Sequence, residues 1–447
     1  MSAETGAWSG EPPQLLRADD LRDAWPVLSH DERLEGLRLL AWSEAEDLVR
    51  SLPAREQTEI LLATSPQEAR AWLRLLPPDD VADVIQATEI DERERLLSLL
   101  DDAARREVVA LLAYAEDDAG GLMNPRYARL RPEMSVDEAA SYLRRQARDH
   151  AETLYYVYVL DVDQKLLGVI SFRDLFMAPP DRKVRDIMQT DVVTAAEEMD
   201  QEALSRLFVE HDFIAIPVVD RQGVMKGIVT VDDIVDVVQE EATEDIQKIG
   251  GMSALDAPYL DVSFGHMVRK RGGWLAALFI GEMLTATAMG YFEAQIARAV
   301  VLALFVPLII SSGGNSGSQA STLVIRAMAL NELRLRDWWR VVRRELAAGL
   351  APGGILATIG LLRILAWQGL FGLYGDHYVL IGLTVSGSLI GVVLWGTLVG
   401  ATLPMLLTKL GFDPASASAP FVATLVDVSG IVIYFTVASL LLSGTLL

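Results

Sequence analysis

Hydrophobic and polar positions along this chain fall into three regimes. From Leu21 to about Tyr114, apolar residues recur at helical spacing in short runs: Leu34, Leu37, Leu39 and Leu40, then Leu48, Leu52, Ile60, Leu61 and Leu62. Leu52-Pro53, Thr64-Ser65-Pro66 and Pro77-Pro78-Asp79-Asp80 interrupt them, and each break offers a helix start with an early proline and a capping Ser or Asp nearby. A stack of helical hairpins, a small superhelix, is expected there. Residues 122–240 form a second regime of short strand-like and helical runs. From Trp274 onward the third regime holds five long apolar segments. They are Trp274 to Tyr291, the charge-free stretch between Arg298 and Arg326, a run from Leu346 past Arg363, the stretch between His377 and Lys409, and Pro414 to Leu447. Some 20 helical residues cross a bilayer, and continuous rather than alternating runs point to helices, not a barrel.

The middle regime repeats itself. Its first copy holds Tyr156-Val-Tyr-Val-Leu-Asp161, then Gly168-Val-Ile-Ser171-Phe-Arg-Asp174. The second holds Ala215-Ile-Pro-Val-Val-Asp220, then Gly227-Ile-Val-Thr230-Val-Asp-Asp233. Asp161 matches Asp220, Gly168 matches Gly227 and Asp174 matches Asp233; Met123 and Met188 open the copies. Ser135-Val-Asp-Glu138 reads as a capping box, with Glu138 aligned to Glu202. Each copy is expected to run strand, helix, strand, turn, strand, helix. The layout resembles a tandem pair of cystathionine-β-synthase (CBS) domains, on its Gly-x-x-Ser/Thr-x-x-Asp endings. That resemblance implies an adenine nucleotide such as ATP in the cleft between copies, with Thr230 and Asp233 touching ribose and phosphate. The same Thr-x-x-Asp is also an ordinary helix cap.

Charge divides the chain. It carries 39 Lys and Arg against 62 Asp and Glu, a net −23. From His266 onward stand 12 basic and 8 acidic residues, which leaves 27 basic and 54 acidic before it. Phosphate backbones would be repelled by such a half, so nucleic acid is not an expected partner; cations are. No cysteine is present, and the five histidines are scattered without an HExxH, which argues against thiolate metal sites and against an intramembrane metalloprotease. MSAETGAWSG has no basic n-region or apolar h-region, so no signal peptide is expected. After the second copy comes an acidic helix with Asp232, Asp233, Asp236, Glu240, Glu241, Glu244 and Asp245. Residues 233, 236, 240 and 244 share one face, where like charges repel unless solvated, screened or bridged by cations. Gly250-Gly251 is the expected break after it.

Basic residues cluster before the first span (Arg269, Lys270, Arg271) and between the second and third (Arg326, Arg334, Arg336, Arg340, Arg343, Arg344). Lys409 lies between the fourth and fifth. By the positive-inside rule the acidic half is cytoplasmic and the C-terminus outside. Asp427 is the single charge of the last span. A carboxylate in hydrocarbon costs at least about 2 kcal/mol unless water, a cation or a partner faces it. It is protonated, caps a broken helix, or faces a cation path. In the second span Pro307 precedes Ser311-Ser-Gly-Gly-Asn315-Ser-Gly-Ser-Gln319, a run suited to close helix contacts or to a wet path. Glu282, in the first span, is a second and weaker intramembrane candidate.

Together, the acidic helical domain, the CBS pair, the acidic connecting helix, Pro307 to Gln319 and Asp427-Val-Ser-Gly430 resemble the MgtE magnesium channel/transporter family. The resemblance implies a multidomain membrane protein: an all-α superhelical N-terminal domain, α/β tandem CBS domains and a five-helix transmembrane domain. Expected boundaries are 1–121 for the helical domain, 122–184 and 185–240 for the CBS copies, 241–268 for a plug-like connecting helix and linker, and 269–447 for the membrane domain. It further implies a homodimer in the cell (inner) membrane, with one pore lined by the second and fifth spans. Asp427 from each subunit would hold hydrated Mg²⁺, with Asn315 lining the pore. Cytosolic Mg²⁺ would close it at a regulatory set of Asp79, Asp83, Asp200, Glu202, Asp212, Asp233, Asp236, Glu241, Glu244, Asp245 and Asp413. Ala419-Pro420 and Glu282 depart from the family pattern. A proton- or sodium-coupled divalent-cation carrier is the rival reading, and an enzyme is not expected.

Overall fold

A computed structural model describes residues 16–146, 155–255, 257, 259–260 and 262–446. The polar N-terminal stretch before Leu16, His150 and Asp256 lie outside the described residues. Two units meet between Gln239 and Glu240.

The first unit opens with short helices: α1 (Ala18–Ala24), α2 (His30–Leu39), α3 (Trp42–Arg50), α4 (Ala54–Ala63), α5 (Pro66–Leu73), α6 (Pro78–Ala87), α7 (Ile90–Leu97) and α8 (Asp102–Leu111). Their starts follow the punctuation in the sequence. Ser29 and Ser65 form reciprocal capping boxes with Glu32 and Glu68, and Asp101 accepts from the amides of Ala103 and Ala104. Pro66 and Pro78 sit in the first turns of α5 and α6, where no amide donor is needed. Helix α6 packs against both α4 and α8, which makes the expected stack.

After α9 (Ala119–Leu122) come two copies of one α/β unit. The first is β1 (Arg129–Leu130), α10 (Val136–Gln146), β2 (Tyr156–Leu160), β3 (Leu166–Ser171) and α11 (Phe172–Met177). The second is β4 (Ala195–Ala196), α12 (Gln201–His211), β5 (Ala215–Val219), β6 (Met225–Thr230) and α13 (Val231–Ile249). Each forms a three-stranded sheet with a parallel first pair and an antiparallel second pair. Val159 opposes Gly168 as Val218 opposes Gly227, and both ladders carry a bulge at the next residue. Asp161 and Asp220 do the same local work, each accepting from the amides two and four residues on.

The copies interlock. The segment opening each one pairs with the third strand of the other: Asn124 exchanges both backbone hydrogen bonds with Ile228, and Gln189 does so with Val169. Gly168 and Gly227 make room for this crossing, since a Cβ on either would fall 2.7 Å from the carbonyl oxygen of Gln189 or Asn124. The same core runs from Leu48, Ile85 and Leu111 of the helical stack into Leu204, Ile216 and Val229 of the second copy. Helix α13 passes residue 240 without interruption, because no Gly or Pro occurs before Gly250. It ends at Ile249, and Gly251 takes a left-handed φ of +74°.

The second unit holds α14 (Phe264–Tyr291), α15 (Glu293–Arg298), α16 (Val300–Ala303), α17 (Val306–Ala329), α18 (Trp338–Phe371), α19 (Tyr378–Lys409) and α20 (Ala419–Leu442). Five helical stretches are long and apolar enough to cross a membrane: Phe264–Tyr291, Val300–Ala329, Leu335–Phe371, Tyr378–Lys409 and Ala419–Leu442. These match the five expected spans. Helix α19 is central and packs on α17, α18 and α20. Helix α14 buries no residue and touches the bundle through α20.

Candidate ion-conducting site

The Ser311–Gln319 run does not break its helix; α17 is continuous from Val306 to Ala329. Its glycines divide between two neighbours. Gly313 and Gly317 face Gly396 and Gly400 of α19. A Cβ on Gly396 would lie 2.3 Å from the Gly313 carbonyl oxygen, and one on Gly400 would lie 2.1 Å from that of Gly317. Two small-x-x-x-small stripes thus let the backbones touch. Gly314 faces α20, where a Cβ would meet Ala423 at 3.4 Å and the Asp427 carboxylate oxygen at 3.5 Å. The same run therefore supplies a tight helix crossing on one face and a backbone surface for Asp427 on another.

Asp427 sits mid-helix in an unbroken α20, so it is not a cap. Helix rise puts it about 12 Å beyond Ala419. Glu282 of α14 is a charge that acts on it, next to Gly281, where a Cβ would meet Thr424 at 2.9 Å. Asn315 is exposed on the single chain, its amide 3.5 Å from the Ser311 hydroxyl. The start of α20 is fastened to the second half of α17. Ser321 donates to the Ala417 carbonyl at 2.7 Å, Ser318 donates to that of Ala419 at 3.1 Å, and Ser418 caps α20 by accepting from the Phe421 amide. Here lies the physical meaning of Ala419-Pro420: Pro420 occupies the first turn of α20, behind the Ser418 cap.

The acidic candidates fall into separate groups. In the first unit, Asp79 is buried on α6 and accepts from the Asn124 amide at 3.0 Å. Asp83 is one turn further along the same helix. Asp233 accepts from the Thr230 hydroxyl at 2.7 Å, so this pair caps α13, as Ser171 and Asp174 cap α11. Burial pushes the Asp233 carboxyl up to about 7; the Thr230 hydroxyl opposes this, while the charges of Asp232 and Asp80 add to it. Desolvation and Asp232 also raise Asp236. The acidic turn of α6 and the start of α13 thus feel one another. Asp200 caps α12, Glu202 pairs with Arg206, and Asp212 ends that helix with a left-handed φ of 54°. In the second unit, Glu244 pairs with Lys248, whose ammonium also reaches Asp413 at 2.6 Å. Glu241 and Asp245 lie on the same helix segment. Among the described residues, no three His, Asp or Glu side chains converge as a metal site. Two features escaped the sequence reading: Lys248, a base in an otherwise acidic run, and the Gly396-x-x-x-Gly400 stripe, whose four-residue spacing matches Gly313 and Gly317.

Comparison with known proteins matches residues 306–437 to the MgtE divalent cation transporter family, residues 16–117 to the MgtE intracellular N domain, and residues 119–181 and 184–240 to CBS domains. The magnesium transporter MgtE of Thermus thermophilus is 41% identical over 432 residues, covering 96% of this chain and 94% of that protein. That of Bacillus subtilis is 35% identical over 77% of this chain and 74% of its own length. A crystal structure of the cytosolic domain of the Mg²⁺ channel MgtE in complex with ATP matches 49% of this chain and 90% of that one, at 43% identity and a TM-score of 0.47. Inosine-5'-monophosphate dehydrogenase of Aquifex aeolicus shares 28% identity over only 27% of this chain. The full-length match and the five spans carrying the transporter signature show that the chain belongs to the MgtE family of magnesium transporters.

Proposed function

We propose that this protein is a homodimeric Mg²⁺ channel, with Asp427 of each subunit facing a shared pore. The observation that carries the reading is the Asp427 carboxylate in the middle of α20, set against the side-chain-free backbone of Gly314 on α17. Mg²⁺ dehydrates reluctantly and prefers octahedral oxygen ligands. Two carboxylates across an axis would hold the hydrated ion through its waters, with Asn315 accepting or donating to those waters along the wall. The acidic soluble half lies in the cytoplasm and the end of α20 outside, in keeping with the basic loops.

Gating follows from linkage. Like charges on α6 (Asp79, Asp83), α12 (Asp200, Glu202, Asp212) and α13 (Asp233, Asp236, Glu241, Glu244, Asp245) repel until cytosolic Mg²⁺ bridges them; bound metal then favours the closed state. An adenine nucleotide such as ATP is the second ligand of this reading. The boundary between the CBS copies is lined by Tyr127, Tyr156 and Tyr158; Tyr158 is 1% exposed, and its buried hydroxyl lacks a hydrogen-bond partner there. Thr230 and Asp233 would turn from capping α13 to the ribose and phosphate.

Uptake tests the pore. Asp427→Ala reconstituted in liposomes should lose Mg²⁺ flux by more than tenfold, on the scale of a lost intramembrane ion site. Flux equal to that of the unsubstituted protein would exclude Asp427 from the path.

A further inference from the structure

At the end of α13, three attachments fall within four consecutive residues and reach four membrane helices. Ile249 packs into a small cluster with Ile325 of α17, Leu403 and Leu407 of α19, and Ala415 and Ala417 of the loop before α20. Gly251 turns the chain against Trp274 of α14 and Pro420 of α20; a Cβ there would come within 3.0 Å of each. Between them stands Lys248. Its ammonium pairs with Glu244, one turn back on α13, and donates to Asp413 Oδ2 at 2.6 Å. The other Asp413 oxygen accepts from the Ala415 amide at 2.8 Å, which fixes the carboxylate on the turn leading into α20. The three side chains are each only about a third exposed (31%, 34% and 36%), so this is not a freely solvated surface pair. A Glu four residues before a Lys is also the favourable helical order.

We propose that Lys248 is a built-in cation that seats the end of the connecting helix on the membrane unit, and so positions α13 for gating. The inference rests on the gating reading above and sharpens it. Glu244 and Asp413 were both expected to serve bound Mg²⁺. A covalently tethered ammonium bridges the same two carboxylates at every Mg²⁺ concentration. One positive charge against two negative ones leaves an excess negative charge, so the place still attracts a divalent ion, but the docked arrangement does not wait for it. Without Lys248 the two carboxylates repel, the α13 end loosens when Mg²⁺ is low, and more cytosolic Mg²⁺ is needed to close the pore.

Two measurements on the full-length protein test this. The first is amide exchange of residues 244–252 in nanodiscs with a chelator present. Lys248→Met should exchange about tenfold faster than the unsubstituted protein, Lys248→Arg should stay close to it, and Asp413→Asn should also exchange faster, by less than Lys248→Met because no two carboxylates are left facing each other. The double variant should be no faster than Lys248→Met, as for two halves of one interaction. Unchanged exchange in Lys248→Met, or effects that multiply in the double variant, would overturn the seat. The second is the half-inhibiting cytosolic Mg²⁺ concentration in inside-out patches, which should rise several-fold in Lys248→Met and return with Lys248→Arg. Faster exchange with unshifted inhibition would overturn the gating role of the seat. An unsubstituted protein insensitive to cytosolic Mg²⁺ would overturn the gating reading itself, while the exchange data still decide the ion pair.

Discussion

Single residues in this chain carry two kinds of work, and Asp233 shows both. It closes the first turn of α13 by accepting from Thr230, and it stands where Asp232 and Asp80 crowd it with negative charge. Burial, with that crowding, pushes its carboxyl up to about 7, well above the ordinary carboxylate value of about 4. The folded state therefore holds the proton more tightly than the unfolded chain. The resulting stabilisation is complete below about pH 4 and is lost as pH rises through about 7. With Mg²⁺ chelated, Asp233→Asn should raise the melting temperature at pH 8 and have no advantage near pH 4, an effect of a few kcal/mol at most. Equal melting temperatures at pH 8 would show that the ionised carboxylate is tolerated without cost. The same crowding is what a bridging cation would relieve, so the residue that weakens the fold at pH 8 is the one bound metal would repay. This dual character was only half legible in the sequence. Thr-x-x-Asp announced a cap, but the approach of Asp80 comes from a helix about 150 residues earlier and has no local signature.

At the scale of elements, the glycine stripes decide how α17 and α19 cross. A Cβ at 2.3 Å from a carbonyl oxygen cannot be accommodated by a rotamer change, because the obstacle is backbone. Gly396→Val should therefore separate the helices, with a cost of about 1 to 3 kcal/mol for overpacking a well-filled crossing. Gly354 of α18 has nothing within 4 Å of its missing Cβ, so Gly354→Ala should be neutral or mildly stabilising. Thermal unfolding in detergent, followed by the loss of monodisperse protein, separates the two. A Gly396→Val protein as stable as Gly354→Ala would mean that the crossing is loose. The sequence showed the first stripe as either a helix contact or a wet path; the helix contact is present on the face of α17 turned to α19, and the face turned to α20 carries Gly314 against Asp427. It did not pair Gly313 and Gly317 with Gly396 and Gly400, because the partner stripe lies about 80 residues on and pairing depends on which helices become neighbours. Element existence was far more legible. The proline and serine punctuation placed α4, α5 and α6, and the matched spacing of Asp161 with Asp220 and Gly168 with Gly227 gave two sheets of identical register. The continuation of α13 through residue 240 was legible too, since the acidic run meets no Gly or Pro before Gly250, and the helix ends at Ile249 beside the expected break.

Across the whole molecule, charge is the property that separates the halves and joins their functions. The 54 acidic and 27 basic residues before His266 give that part a strongly negative field, and the mildly basic remainder carries the spans. Such a field raises the local concentration of divalent cations whatever the individual sites are. Selective inhibition by Mg²⁺ needs more: a state whose carboxylates approach closely enough that two charges on one ion outweigh desolvation. Glu241, Glu244 and Asp245 are the test of that distinction, because they sit on the segment of α13 that precedes the Lys248 seat. Replacing all three by their amides removes three of 62 acidic side chains and barely alters the long-range field. If bulk charge alone controls closure, the half-inhibiting Mg²⁺ concentration in inside-out patches should stay the same. If α13 carries bridging ions, it should rise by about 5- to 150-fold, the range set by a coupling free energy of 1–3 kcal/mol. Raising ionic strength with a monovalent salt supplies the control. Screening acts on the field over about 10 Å at 0.1 M, so it should weaken inhibition in the unsubstituted protein less than the three amides do. An unchanged Mg²⁺ response in the triple variant would move the sensor away from the connecting helix and leave α6 and α12 to account for closure.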